Sequence, residues 1–151
     1  MGSLWIENTK DSKKFSKLEE NIETEVCIIG AGLFGLTTAY YLSKNNIPVT
    51  IVEAEEEIGI KTSGNTTGKI TSQHGLFYDH LIKDYGEKFA WKYLEANEKA
   101  ITNIKEIIDE NNIECDFSWQ DNYVYTTLQE DVEQIKNEVE AVRRLGVNAE
   151  F

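Results

Sequence analysis

The chain has 151 residues, enough for one domain with a core of its own. It is 40% hydrophobic and 28% charged, with 15 Lys and Arg against 27 Asp and Glu, a net charge of -12 at pH 7. So acidic a balance argues against nucleic acid as a partner, since a phosphate-backbone binder needs a basic footprint. No apolar run approaches the ~20 residues of a membrane helix. Met1 to Lys10 lacks the cationic start and apolar stretch of a secretory signal, so a cytoplasmic protein is expected.

Residues 1–24 are mixed and polar, charge-rich from Ser12 to Glu20, and read as an irregular lead-in. At Glu25 the pattern changes. Val26-Cys27-Ile28-Ile29 is a continuous apolar run of the kind found in a strand buried on both faces of a parallel sheet. Gly30-Ala31-Gly32-Leu33-Phe34-Gly35 follows, then Leu36 to Lys44 with helical composition. Asn45-Asn46 ends that helix and Pro48 blocks its continuation. Val49 to Val52 is a second strand, closed by Glu53. From Glu55 to Ser72 the chain is polar and rich in glycine and threonine, long for a plain connection, and loops of that kind are often functional.

Leu76 to Lys83 reads as a short helix. Asp84 and Glu87 have capping-box spacing. Ala90, Leu94, Asn97, Ile101, Ile104 and Ile108 then recur at helical intervals and predict a long amphipathic helix ending near Asn111. Glu114–Trp119 and Asn122–Thr126 read as two strands with Gln120-Asp121 at a turn. Thr127 and Glu130 suggest a second capping box. Val132, Ile135, Val139, Val142 and Leu145 mark a final helix that Gly146 stops. The expected organisation is a lead-in over 1–24, a nucleotide-binding portion over 25–83 and the start of a further domain over 84–151.

The motif that carries chemistry is the glycine turn in its full context. A strand precedes it, a helix and a second strand follow, and Glu53 lies 18 residues after Gly35, near the expected spacing of about 20. Gly30 allows the tight turn, Gly32 lets a pyrophosphate approach the backbone, and Gly35 allows close helix–strand packing. The helix start offers unpaired N–H groups and a partial positive charge to phosphates. Glu53 can accept two ribose hydroxyls and would repel a 2′-phosphate, which disfavours NADP. The competing structural reading is a plain glycine turn with a solvated acid at the strand end.

Between FAD and NAD, the loop after Glu53 decides. Gly59-Ile60-Lys61-Thr62-Ser63-Gly64-Asn65-Thr66-Thr67-Gly68 resembles the second conserved segment of the D-amino-acid oxidase-like flavoproteins, which include glycine and sarcosine oxidases. In that family a Gly-x-x-x-Ser-Gly-x-x-x-Gly loop wraps the FAD pyrophosphate. Thr66 to Asp79 (TTGKITSQHGLFYD) is similar to a bacterial subgroup, some members of which carry a C-terminal Rieske iron–sulfur domain.

The resemblance implies an α/β fold: a Rossmann-like βαβ unit plus the start of an α+β substrate domain. It implies FAD as cofactor, held by Gly30, Ala31, Gly32, Leu33, Phe34 and Gly35, by Glu53 and Ala54, and by Ser63, Asn65, Thr66 and Thr67. Read from the residues alone, Lys61 either neutralises pyrophosphate charge or is a solvated loop lysine, and Lys69 has a similar, slightly lesser claim. The activity implied is oxidation of a C–N bond in an amine or amino acid. Family members are at least twice as long, so this chain is expected to be the N-terminal portion of such a protein, with little turnover by itself. Exposed sheet edges, one uncovered apolar face and self-association are then expected. The alternatives are a non-catalytic dinucleotide-binding or interaction module complete at 151 residues, and an NAD-dependent dehydrogenase.

The remaining candidates are weaker. His74 could lie near the flavin, although a loop histidine satisfied by backbone groups explains it as well; His80 reads as structural. Trp91, Tyr93, Tyr123 and Tyr125 could line a substrate pocket, but aromatics in such elements are more often core. Glu55-Glu56-Glu57 reads as a solvated turn. Cys27 and Cys115 have no metal-ligand spacing, so no metal is expected. Cys27, inside an apolar run, reads as a buried thiol. No side chain stands out as catalytic, and a flavin site needs little from side chains beyond binding and orientation.

Overall fold

The structure, a computed structural model, describes residues 2–9 and 14–151. Readings that touch residues 1 and 10–13, the chain's first residue and the beginning of the charge-rich stretch, lie outside the described residues. The elements in chain order are α1 (Leu4–Asn8), β1 (Val26–Ile29), α2 (Leu33–Lys44), β2 (Val49–Val52), a 3-10 turn at Ser63–Asn65, α3 (Tyr78–Tyr85), α4 (Glu87–Glu110), a 3-10 turn at Gln129–Asp131, and α5 (Val132–Arg144). Two compact units result, Met1–Lys69 and Ile70–Phe151. In the second of these units α3 packs on α4 and α5.

In the first unit β1 and β2 pair in parallel, from Val26 opposite Val49 to Ile29 opposite Val52. A parallel pair needs a crossover, and α2 supplies it. Gly30 opens the crossover with φ of 99°, a left-handed conformation that suits glycine, while its N–H donates to the Val52 carbonyl at 2.7 Å. Asn46, at φ 58°, ends the helix where the sequence predicts. The lead-in is not wholly irregular: Leu4–Asn8 forms a short helix, α1.

One expectation about β1 fails. The strand is not buried on both faces; its residues alternate half-buried and exposed. Val26 and Ile28 face α2, whereas Cys27 and Ile29 point away from it, and Ile29 is 89% exposed. An apolar run requires two covered faces, and α2 covers only one. Cys27 is therefore an exposed thiol, not a buried one, and Cys115 is exposed as well.

The second unit is three packed helices. Tyr78 and Leu81 of α3, Ala90 and Leu94 of α4, and Ala141, Val142 and Leu145 after it form one buried cluster. The predicted stripe on α4 is realised: Ala90, Leu94 and Ile101 are buried, and Asn97 donates its Nδ2 to the Tyr93 carbonyl one turn back. Glu138 of α5, only 4% exposed, is the one buried charged residue among those described. Its Oε1 accepts the amides of Phe77 and Tyr78, each at 2.9 Å, and the Gln73 side chain at 2.7 Å. Its Oε2 accepts the amide of Asp79 at 2.8 Å. The start of α3 is thus capped from another helix, in place of a local cap residue.

Both capping boxes are displaced. Asp84 lies in the last turn of α3 and faces His80 at 3.4 Å, while Gly86 precedes α4 and Glu87 pairs with Arg144. At the second, Thr126 rather than Thr127 is engaged: its Oγ1 accepts the Leu128 amide at 3.0 Å and donates to Asp131 at 2.9 Å. The strands expected at Glu114–Trp119 and Asn122–Thr126 do not form. Trp119, Tyr123 and Tyr125 are exposed, and an isolated two-stranded hairpin without an apolar surface to lie on is marginal. The core reading of Tyr123 and Tyr125 is corrected with them, as is that of Trp91, which is also exposed; Tyr93 is half-buried. Among the described residues, no helix is long and apolar enough to cross a membrane.

Candidate functional site

The glycine turn and the strand-end acid meet in the first unit. Gly35 lies so close beneath the turn that a Cβ there would sit 2.0 Å from the Gly30 carbonyl oxygen. That approach brings the start of α2 against the ends of both strands. Ala31 is buried, its carbonyl accepting the Gly59 amide at 3.0 Å. Leu33 and Phe34 are exposed at the helix start, so the first turn of α2 opens toward solvent. The earliest amides of a helix have no carbonyl one turn back, and here they stand at its positive end.

Glu53 closes this site from β2. Its Oε2 accepts the Ala31 amide at 2.7 Å, and its Oε1 accepts the Glu55 amide at 3.0 Å. The Ala31 hydrogen bond, then that of Glu55, holds its carboxyl below the usual carboxylate range. Both oxygens are held in place by backbone, and each keeps a lone pair for a further donor. Ala54 follows directly in the bend after the strand.

Lys61 approaches Glu55, with Nζ to Oε1 at 2.7 Å, and that bond raises the lysine pKa. Gly32, Glu53, Glu55, Glu57, Lys61 and Ser63 line a cavity of about 170 Å³ beside the turn. Glu55 and Glu57 are thus part of the site's rim as well as of a solvated turn.

The loop from Gly59 to Gly68 is tied down on two sides. Ser63 Oγ accepts the Leu33 amide at 2.9 Å, which fixes the loop to the first turn of α2. Asn65 folds its Nδ2 back onto the carbonyls of Ile60 (3.1 Å) and Lys61 (2.7 Å), closing the 3-10 turn. Thr66 Oγ1 accepts the Gly68 amide at 3.2 Å. On the other side stands the N-terminal arm: Ser3 Oγ donates to the Gly64 carbonyl, and Trp5 Nε1 donates to the Thr66 carbonyl at 2.7 Å.

Of the residues singled out in the sequence, then, Gly32, Glu53, Lys61 and Ser63 gather around one cavity, with Ala31 bonded to it. Asn65, Thr66 and Thr67 line a second hollow together with Gly2 to Trp5. The arm carries no periodic signal, because its apolar residues are too few to set a period; its one clue is the short apolar run Leu4-Trp5-Ile6 in an otherwise polar lead-in.

His74 lies in the second unit, Nδ1 3.0 Å from the Tyr93 hydroxyl. Among the described residues, no group of three or more His, Cys, Asp or Glu side chains could hold a metal ion.

The residues present fit an adenine dinucleotide. A Cβ-free backbone at Gly32 lies beneath an open helix start, an acceptor pair stands at the strand end, and a lysine stands on the rim. Comparison with known proteins specifies which. Residues 25–151 match the model of the FAD dependent oxidoreductase family (DAO). The chain is 40% identical over 149 residues to YhfW of Bacillus subtilis, whose name describes a Rieske 2Fe-2S iron-sulfur protein; the match covers 99% of this chain and 29% of that one. It is 30% identical over 103 residues to gamma-glutamylputrescine oxidoreductase of Escherichia coli, covering 68% and 24%. Over 49 residues it is 47% identical to D-amino acid dehydrogenase 2 of Pseudomonas aeruginosa, covering 32% and 12%. The chain thus spans less than a third of the length of the curated relatives it matches. No solved structure gives a significant match. The chain belongs to the FAD dependent oxidoreductase family, whose cofactor is FAD and whose members are oxidoreductases.

Proposed function

We propose that the glycine turn, Glu53 and the Gly59–Gly68 loop bind the adenosine and pyrophosphate half of FAD, and that the protein to which they belong oxidises a C–N bond of an amine or amino acid. The observation that carries the reading is Glu53: a carboxylate below its usual pKa, both oxygens oriented by backbone amides, at the rim of a cavity that begins at the start of α2. Such a group accepts the two hydroxyls of a ribose. With Glu55 and Glu57 on the same rim it disfavours a 2′-phosphate, which would add like charge at close range.

The chain's own part is to bind and orient. The amides at the start of α2, apart from that of Leu33, which donates to Ser63, and the Lys61 ammonium face the pyrophosphate charge. Ser63, Asn65, Thr66 and Thr67 hold the loop that passes it. FAD, when bound, supplies acceptance of a hydride from the substrate carbon. Substrates of the amine and amino-acid class accord with the names of the relatives from Escherichia coli and Pseudomonas aeruginosa. In this reading Ile70–Phe151 begins the substrate domain. Copies of the chain associate through the open sheet face at Cys27 and Ile29.

A fluorescence titration tests the site. FAD and ADP-ribose should saturate it, and FMN, which lacks the adenosine half, should not. ADP-ribose carrying a 2′-phosphate should bind at least about tenfold more weakly, the equivalent of one close charge repulsion near a surface. Equal binding of FMN and FAD, or of the two ADP-riboses, would overturn the reading.

A further inference from the structure

The N-terminal arm ahead of β1 lies outside residues 25–151, the part that matches the family model, yet it holds the loop assigned above to the nucleotide. Three contacts tie it there. Ser3 Oγ donates to the Gly64 carbonyl. Trp5 Nε1 donates to the Thr66 carbonyl at 2.7 Å. The Trp5 ring lies so close over Gly68 that a Cβ at that position would be 2.5 Å from Cζ2. Ile6 adds apolar contact at Gly64, where a Cβ would be 3.2 Å from its Cγ1. These partners fall on three residues of the loop's second half, Gly64, Thr66 and Gly68. Its first half is held instead by Leu33 through Ser63 and by Ala31 through Gly59.

The loop is therefore clamped between two bodies, the start of α2 and the arm. A short polar loop rich in glycine and threonine has few apolar contacts of its own and would otherwise sample many conformations. Ordering it before a ligand arrives lowers the cost of binding. We infer that Trp5 is a positioning residue: with Ser3 it fixes the Gly64–Gly68 backbone for the nucleotide without touching the nucleotide itself. The inference rests on the reading of the site given above.

Trp5→Ala, Trp5→Phe and Gly68→Ala test it in the 151-residue chain, by amide hydrogen exchange without ligand and by FAD titration. Trp5→Ala should raise exchange at Gly64–Gly68 while β1, β2 and α2 keep their protection. It should weaken FAD binding about tenfold, the scale of one lost hydrogen bond with its ring contact. Trp5→Phe, which keeps a ring over Gly68, should recover part of both effects. Gly68→Ala should loosen the arm, and its effect should shrink when Trp5 is already alanine.

Unchanged exchange in Trp5→Ala, or unchanged FAD affinity in a chain that binds FAD, overturns the inference. Protection lost throughout the first unit overturns it too, since Trp5 would then be a general packing residue. A wild-type chain that takes up no FAD, with the loop still loosened by Trp5→Ala, overturns the nucleotide reading and leaves the arm's hold on the loop standing.

Discussion

The Glu53 carboxylate accepts the Ala31 amide at 2.7 Å, so the acid ending β2 and the second residue of the glycine turn form one rigid element across 22 positions of sequence. The bond has a pH signature. Glu53 is held below its unfolded pKa by the Ala31 and Glu55 amides. A depressed carboxylate stabilises the folded form above its unfolded pKa, and the contribution is lost as pH falls through the lowered value. The Ala31 and Glu55 amide resonances should stay constant at neutral pH and move together in acid, below the ordinary carboxylate range. Glu53→Gln should abolish the step. A step persisting in that variant would assign the titration to another group.

Gly35 is fixed by the same geometry. A methyl group at that position would stand 2.0 Å from the Gly30 carbonyl oxygen, which is backbone and cannot rotate aside. Gly35→Ala should destabilise the first unit by about 3 kcal/mol, the upper range for an overpacked site. Denaturant unfolding of the variant gives the value directly.

In the second unit Glu138 plays the corresponding part. It satisfies three consecutive amides at the start of α3 and is nearly inaccessible. Glu138→Ala would leave buried donors without partners and should cost about 3 kcal/mol. Glu138→Gln keeps the shape but loses the charge and one acceptor, and should cost about half as much. Urea midpoints of the two variants check the order. Equal small losses would show that solvent reaches these amides.

The open sheet face predicts association. Ile29 is 89% exposed beside Cys27, on the side that α2 does not cover. Ile29→Lys should shift sedimentation toward the monomer while changing stability by less than about 0.5 kcal/mol, as is usual at exposed positions. Association undiminished in the variant would place the contact elsewhere.

What the sequence disclosed was local. The glycine turn, α2 and β2 were legible because each of their signals acts within a few residues: a turn needing positive φ at Gly30, an Asn-Asn stop, a proline. The stripe on α4 was equally legible, as a regular period over 24 residues.

Pairings between distant segments stayed hidden. Neither the arm at Trp5 nor the cap at Glu138 is encoded by a neighbour in sequence. Glu138 did leave a trace, three residues after Ile135 and four before Val142, on the apolar stripe of α5, where an acid signals a buried partner. Strand propensity at 114–126 misled for the opposite reason. Tyr123 and Tyr125 favour a strand only when a sheet is there to receive them, and β propensity measures that fit more than any backbone preference. Cys27 misled likewise, since an apolar run does not say how many of its faces are covered.

The most direct measurement is the visible absorption spectrum of the purified chain after incubation with FAD and desalting, compared with that of Glu53→Ala. The site assigned here predicts flavin bands that remain with the wild-type chain and are lost from the variant, with both folded by circular dichroism. Flavin retained equally by the two would remove Glu53 from the site. Flavin retained by neither would show that the turn, Glu53 and the Ser63 loop do not hold FAD by themselves.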